Sequence, residues 1–161
     1  MRVLNIIQDS IVDGPGLRST IFFAGCPHKC RGCHNPQSWN VGGGKELKTM
    51  EIFDLLMKNT LNDITFSGGE PFYQCHDELL TLASALKERG KNIWCYTGYT
   101  WEELISRQSS KAICKLIDVV VDGPFVAEKR DLTLSFMGSR NQRLIDCSRS
   151  LLEEKTVLYI I

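Results

Sequence analysis

Three cysteines crowd one short stretch, AGCPHKCRGCHNPQSW (residues 24–39): Cys26, Cys30 and Cys33. Thiolates are soft ligands for zinc, copper and iron–sulfur clusters. Most metal sites take four protein ligands, so a loop that stops at three poses a question. One answer is a structural zinc site in which His28 or His34 supplies the fourth ligand. Such sites draw on two ligand clusters from separate chain segments. Here the only later Cys–His neighbours, Cys75 and His76, stand alone. A second answer is chance clustering on a loop. The third is a 4Fe–4S cluster, in which three cysteines leave one iron open to a small molecule.

The chain has seven cysteines. Cys75, Cys95, Cys114 and Cys147 are scattered singly and lack ferredoxin spacing, so no second cluster is expected. Cys95, within NIWCY, and Cys114, within KAICKLI, read as core residues.

Further polar groups fall where strands end. In FSGGEPF (66–72), Gly68 and Gly69 would let a ligand approach the backbone, and Glu70 could bind an ammonium group; the plain alternative is a strand-to-helix turn. Thr97 and Asp122 read equally as ligand contacts or as a turn threonine and a strand-capping aspartate. DGPGLRS (13–19) predicts a turn, and GSRNQR (138–143) a solvated loop or a docking surface.

The elements that must position these groups alternate. STIFFAG (19–25), DITFSGG (63–69), NIWCYTG (92–98) and IDVVVDG (117–123) read as buried strands. TMEIFDLLMKN (49–59), with Thr49 as N-cap, HDELLTLASALKERG (76–90), stopped by Gly90, and TWEELISR (100–107), with Thr100 and Glu103 as a capping box, read as helices. RLIDC and KTVLYII read as strands flanking a short helix or turn at SRSLLEE. This rhythm predicts an α/β fold of parallel β/α units, with functional loops at the carboxyl ends of the strands. Four to six strands in a chain of 161 residues predict a partial, open (β/α) barrel in a single compact domain, 1–161.

Composition is ordinary for a globular protein, with 43% apolar and 24% charged residues. Lys plus Arg and Asp plus Glu balance at 19 each, which gives no general attraction to nucleic acid or an anionic membrane. The N-terminal residues lack the apolar core of a signal peptide, and no run is long enough to span a bilayer. A cytoplasmic protein is expected.

The Cys-x₃-Cys-x₂-Cys spacing followed by Gly-Gly-Glu resembles the radical S-adenosylmethionine superfamily. Within it, DGPGLRSTIFFAGC (13–26) and CHNPQSW (33–39) resemble the glycyl-radical-enzyme activases. YTGYTWEEL (96–104), VVVDGPF (119–125) and LSFMGSRNQRLID (134–146) resemble the branch that acts on anaerobic ribonucleoside-triphosphate reductase. The resemblance implies a barrel of the radical S-adenosylmethionine type and one 4Fe–4S cluster on Cys26, Cys30 and Cys33. It implies S-adenosylmethionine held by Ser67, Gly68, Gly69 and Glu70, with Glu70 on the methionyl amino group. Gly32, Cys33 and His34 would face the adenine, and Thr97 and Asp122 the ribose or methionyl part. Asp13, Arg18, Arg140 and Arg143 would contact the reductase, and a reductant such as flavodoxin would supply the electron. Gly32 fits the reductase-activating branch. His34 stands where many of that branch carry Tyr, and Glu70 where many carry Asp; both residues also occur in formate-lyase-type activases. An activase of another glycyl-radical enzyme and a non-catalytic zinc-binding module therefore remain the alternatives.

Overall fold

The computed structural model describes residues 1–161. Its frame is one seven-stranded sheet. The strands are β1 (Arg2–Ser10), β2 (Arg18–Phe23), β3 (Lys45–Glu46), β4 (Asp63–Gly68), β5 (Ile93–Tyr96), β6 (Val119–Asp122) and β7 (Arg143–Asp146). The helices are α1 (Thr49–Leu56), α2 (His76–Glu88), α3 (Trp101–Ser106), α4 (Gln108–Cys114) and α5 (Cys147–Leu152). Strand order is β3-β1-β2-β4-β5-β6-β7. The centre, β2-β4-β5-β6, is parallel, and β1, β3 and β7 add antiparallel edges.

Strand alternation sends successive side chains to opposite faces. Ile21 and Phe23, Ile64 and Phe66, Ile93 and Cys95, and Val120 face the helices in one apolar core. Leu56 of α1, Leu82 and Leu86 of α2, Trp101 of α3, Ile113 of α4 and Cys147 of α5 join that core. All five helices thus cover one face. On the other face Trp94, Val119, Val121 and Leu144 form a small second cluster, with Phe136, Met137 and Tyr159 packed on it. Burial on both faces is why the central strands read as continuous apolar runs.

Several expectations shift. Thr49 is the first helical residue of α1 rather than its cap; Lys48 holds the cap position, its N–H donating to Glu51 at 2.7 Å. Thr100 and Glu103 do form the capping box of α3. β1 escapes the sequence pattern because irregularities between Val3 and Asn5 and between Ile7 and Ser10 break its alternation. KTVLYII forms no full strand; it meets β7 through the Ile145–Leu158 bridge and the Tyr159 N–H to Leu144. No helix is long and apolar enough to cross a membrane.

Candidate metal and cofactor site

The helix-free face opens, at the carboxyl ends of β2, β4 and β5, into a cavity of about 630 Å³. That is within the range of small-molecule sites. Cys26, Cys30 and Cys33 line it from the loop that follows β2. All three thiols are free and half-buried. The loop turns through two left-handed residues, Lys29 (φ 46°) and Gly32 (φ 75°), and closes with the Cys33 N–H donating to Cys30 O at 3.1 Å. At its base the Gly25 N–H donates to Ser38 O at 2.8 Å.

Three free thiols lining one cavity suit a 4Fe–4S cluster, in which each cysteine holds a separate iron. The Asn35 N–H already points at Cys33 Sγ, 3.3 Å away, the kind of bond that tunes cluster sulfurs. Burial pushes the Cys26 and Cys30 thiols above their usual range, so ligation there must displace a proton.

Across the cavity stand Ser67, Gly68 and Gly69 from the end of β4, and Thr97 and Gly98 after β5. The two glycines answer a backbone demand. A side chain on Gly68, at φ 93°, would strike the Phe22 and Phe23 backbone, and one on Gly69 would strike the Gly25 carbonyl. Both residues face the cavity, yet what requires glycine is the close crossing of β4 over the β2–cluster loop junction.

Other predicted site residues part company with the cavity. Glu70 is fully buried and does not reach it. Gly32 is solvent-exposed with Phe125 beside it, whereas His34 does line the wall, its ring 5.3 Å from that of Phe125. Asp122 sits at a strand end, but alternation turns its side chain away from the cavity. It accepts the Trp101 N–H at 2.8 Å and pairs with Arg143, which also bonds Glu102 at 2.8 Å. That pairing gives Arg143 internal partners, with its side chain still 35% exposed. Arg143 in turn holds the Glu102 carboxyl down at about 2.

Arg18 is buried beneath the surface on which a partner contact is expected. Only 1% exposed, it donates to Thr65 Oγ1 at 2.6 Å and Ile64 O at 2.6 Å, and reaches Pro15 O and Asn92. It plugs the closed end of the open face, stacked on Trp94 at 5.5 Å. Asp13 does line the cavity, fixed by the hydroxyls of Ser10 and Thr20. Arg140 is exposed and 2.8 Å from Asp131, another lining residue.

Sequence reasoning missed the far wall, built from Leu132, Leu134, Phe136 and Met137, and the role of His28. Apolar residues in an irregular loop carry no periodic signal; His28 was signalled only by its place inside the cysteine loop.

Residues 12–145 match the family described as 4Fe-4S single cluster domain. The chain is 41% identical, over 143 residues, to the anaerobic ribonucleoside-triphosphate reductase-activating protein of Escherichia coli K12, covering 82% of this chain and 90% of that protein. The protein of the same name from Haemophilus influenzae is 35% identical over 156 residues, covering 88% and 96%. That of enterobacteria phage T4 is 38% identical over 140 residues, covering 83% and 86%. The chain belongs to the family of anaerobic ribonucleoside-triphosphate reductase-activating proteins. In this family member, Cys26, Cys30 and Cys33 all fall inside the matched 4Fe-4S segment.

Proposed function

We propose that this chain activates an anaerobic ribonucleoside-triphosphate reductase by generating a glycyl radical on it, through reductive cleavage of S-adenosylmethionine at a 4Fe–4S cluster to methionine and 5′-deoxyadenosine. The observation that carries this reading is the shared cavity: the three-cysteine loop faces the ends of β4 and β5 across one space. The sheet, in this reading, is a partial barrel of the radical S-adenosylmethionine type within a single domain, open on its helix-free side.

When bound, the reduced cluster supplies one electron to the sulfonium of S-adenosylmethionine. The residues do the placing. Cys26, Cys30 and Cys33 hold the cluster. Ser67, Gly68 and Gly69 offer backbone and hydroxyl groups to the methionyl end, with Thr97 beside them, while Cys33 and His34 flank the adenine. Asp13 and the 131–138 wall border the mouth through which a glycine of the reductase would enter. A reductant such as flavodoxin supplies electrons in a cytoplasmic setting, and neither nucleic acid nor membrane takes part.

The test is anaerobic reconstitution followed by iron counting, reduction, and assay for 5′-deoxyadenosine with and without the matching reductase. Cleavage slow alone and faster with the reductase, together with a glycyl doublet on the reductase, is expected. Fast cleavage alone, with no radical on any anaerobic reductase, would remove the activase reading. A colourless protein carrying zinc would remove the cluster.

A further inference from the structure

Glu70 is the most completely satisfied carboxylate in the molecule's functional half. Oε1 accepts the Phe72 N–H at 3.0 Å and the Thr97 hydroxyl at 2.8 Å. Oε2 accepts the Gly98 N–H at 2.8 Å and faces His28 Nε2 at 2.9 Å. Four donors fill the usual capacity of a carboxylate. The group is wholly buried, and His28, Thr97 and Gly98 stand between it and the cavity, each lining the wall it does not reach. To receive an ammonium group, Glu70 would have to abandon a bond and leave a buried donor unpaired, which costs about 1–3 kcal/mol.

His28 is the link. It lies midway between Cys26 and Cys30, and the cluster loop sends it into the strand ends, against Glu70, Gly98 and Tyr99. Its ring meets Tyr99 edge-on with centroids 4.5 Å apart. It rests on Gly98 so closely that a side chain there would lie less than 3.0 Å from the ring. The Nε2–H donates to Glu70, and the loop is thereby tied to the ends of β4 and β5 at once.

We infer that Glu70 is a positioning residue: it fixes the cysteine loop through His28, and the methionyl ammonium is bound by other groups. This rests on the cluster reading above. It also explains why a carboxylate is needed. A backbone N–H points at each oxygen, Phe72 on one and Gly98 on the other, so a glutamine would always set its NH₂ against one of them.

The experiment compares wild type with His28→Ala, His28→Gln, Glu70→Gln and the His28→Ala/Glu70→Gln double variant under anoxia. Three quantities are read: the rate of iron loss to a chelator, S-adenosylmethionine affinity from the reduced cluster's paramagnetic spectrum, and hydrogen exchange of residues 26–34 before reconstitution. His28→Ala and Glu70→Gln should each speed iron loss about tenfold, the scale of losing a residue that supports a metal ligand. They should weaken cofactor affinity by the same factor as each other and expose the 26–34 amides. The double variant should be no worse than either single, since both remove one link, and His28→Gln, which keeps an N–H donor, should recover part of the loss. The inference is overturned if Glu70→Gln loses cofactor affinity with wild-type iron retention and loop protection while His28→Ala binds normally. If wild type takes up no iron, the cluster reading fails instead. The exchange measurement then decides by itself, and equal protection in wild type and variants overturns the link.

Discussion

The Gly25 carbonyl oxygen accepts the Glu70 N–H at 2.8 Å and lies against the one direction in which Gly69 could carry a side chain. The base of the cluster loop and the end of β4 therefore touch backbone to backbone. Gly69→Ala should push the two apart, costing about 1–3 kcal/mol as overpacking does. The expected result is a melting temperature lower by several degrees, with iron uptake falling in step. A variant that melts like wild type and loses only cofactor binding would show that this crossing yields freely.

The cysteines divide by position. Replacing Cys26, Cys30 or Cys33 by Ser should abolish iron uptake, each removing one ligand from the shared wall. Cys75→Ser, at an exposed site, should load iron as wild type does. Cys95, Cys114 and Cys147 are buried and their thiols are pushed up by that burial. Their alanine variants should lose about 1 kcal/mol of stability to the small void left while keeping full iron per folded molecule. Iron counting with urea titration of each variant checks both halves.

How far the sequence reaches is clear from these same residues. The four central strands and α1, α2 and α3 were legible because their apolar spacing is set by one repeating geometry, and the cysteine loop because its ligands are adjacent in the chain; α4, Gln108–Cys114, too short to show a helical period, was not. Glu70, Asp122 and Arg18 were placed near the site but not oriented. A strand end brings a residue to the right level, and alternation then decides which face it serves. Arg18 looked like a surface contact because its carbonyl and hydroxyl partners, at Ile64, Thr65 and Asn92, are contributed by strands and loops far away in the chain. β1 was obscured by its irregular register, and the 131–138 wall by its lack of any period.

Arg18 accordingly makes a stability prediction. Arg18→Ala removes a buried guanidinium that bridges the 13–17 turn, β4 and Asn92, so about 2–4 kcal/mol should be lost, as when a buried polar network is broken. Arg18→Lys should not restore it, since one ammonium cannot reach the partners that a planar fork reaches. Urea unfolding reads the loss directly. Near-wild-type stability with impaired response to the reductase would instead return Arg18 to the partner surface.

Arg140 is 73% exposed and pairs with the cavity-lining Asp131, Nε 2.8 Å from Oδ2. The Thr133 hydroxyl and N–H, with Arg140, hold the Asp131 carboxyl at about 2, so the aspartate is ionised at any working pH. An ion pair with one partner in solvent adds little to folding, and its loss should leave iron content and melting unchanged. If the guanidinium meets the reductase, Arg140→Glu should slow glycyl-radical formation several-fold while leaving cofactor cleavage without reductase as in wild type. Added salt should weaken activation more in wild type than in Arg140→Ala, because screening removes only a charge contact that is present. Asp131→Asn separates the two causes: it breaks the same ion pair but keeps the guanidinium. Radical yield on the reductase near wild type in Asp131→Asn and low in Arg140→Glu places the contact on Arg140. An equal loss in both variants would instead assign the effect to the shape of the 131–138 wall.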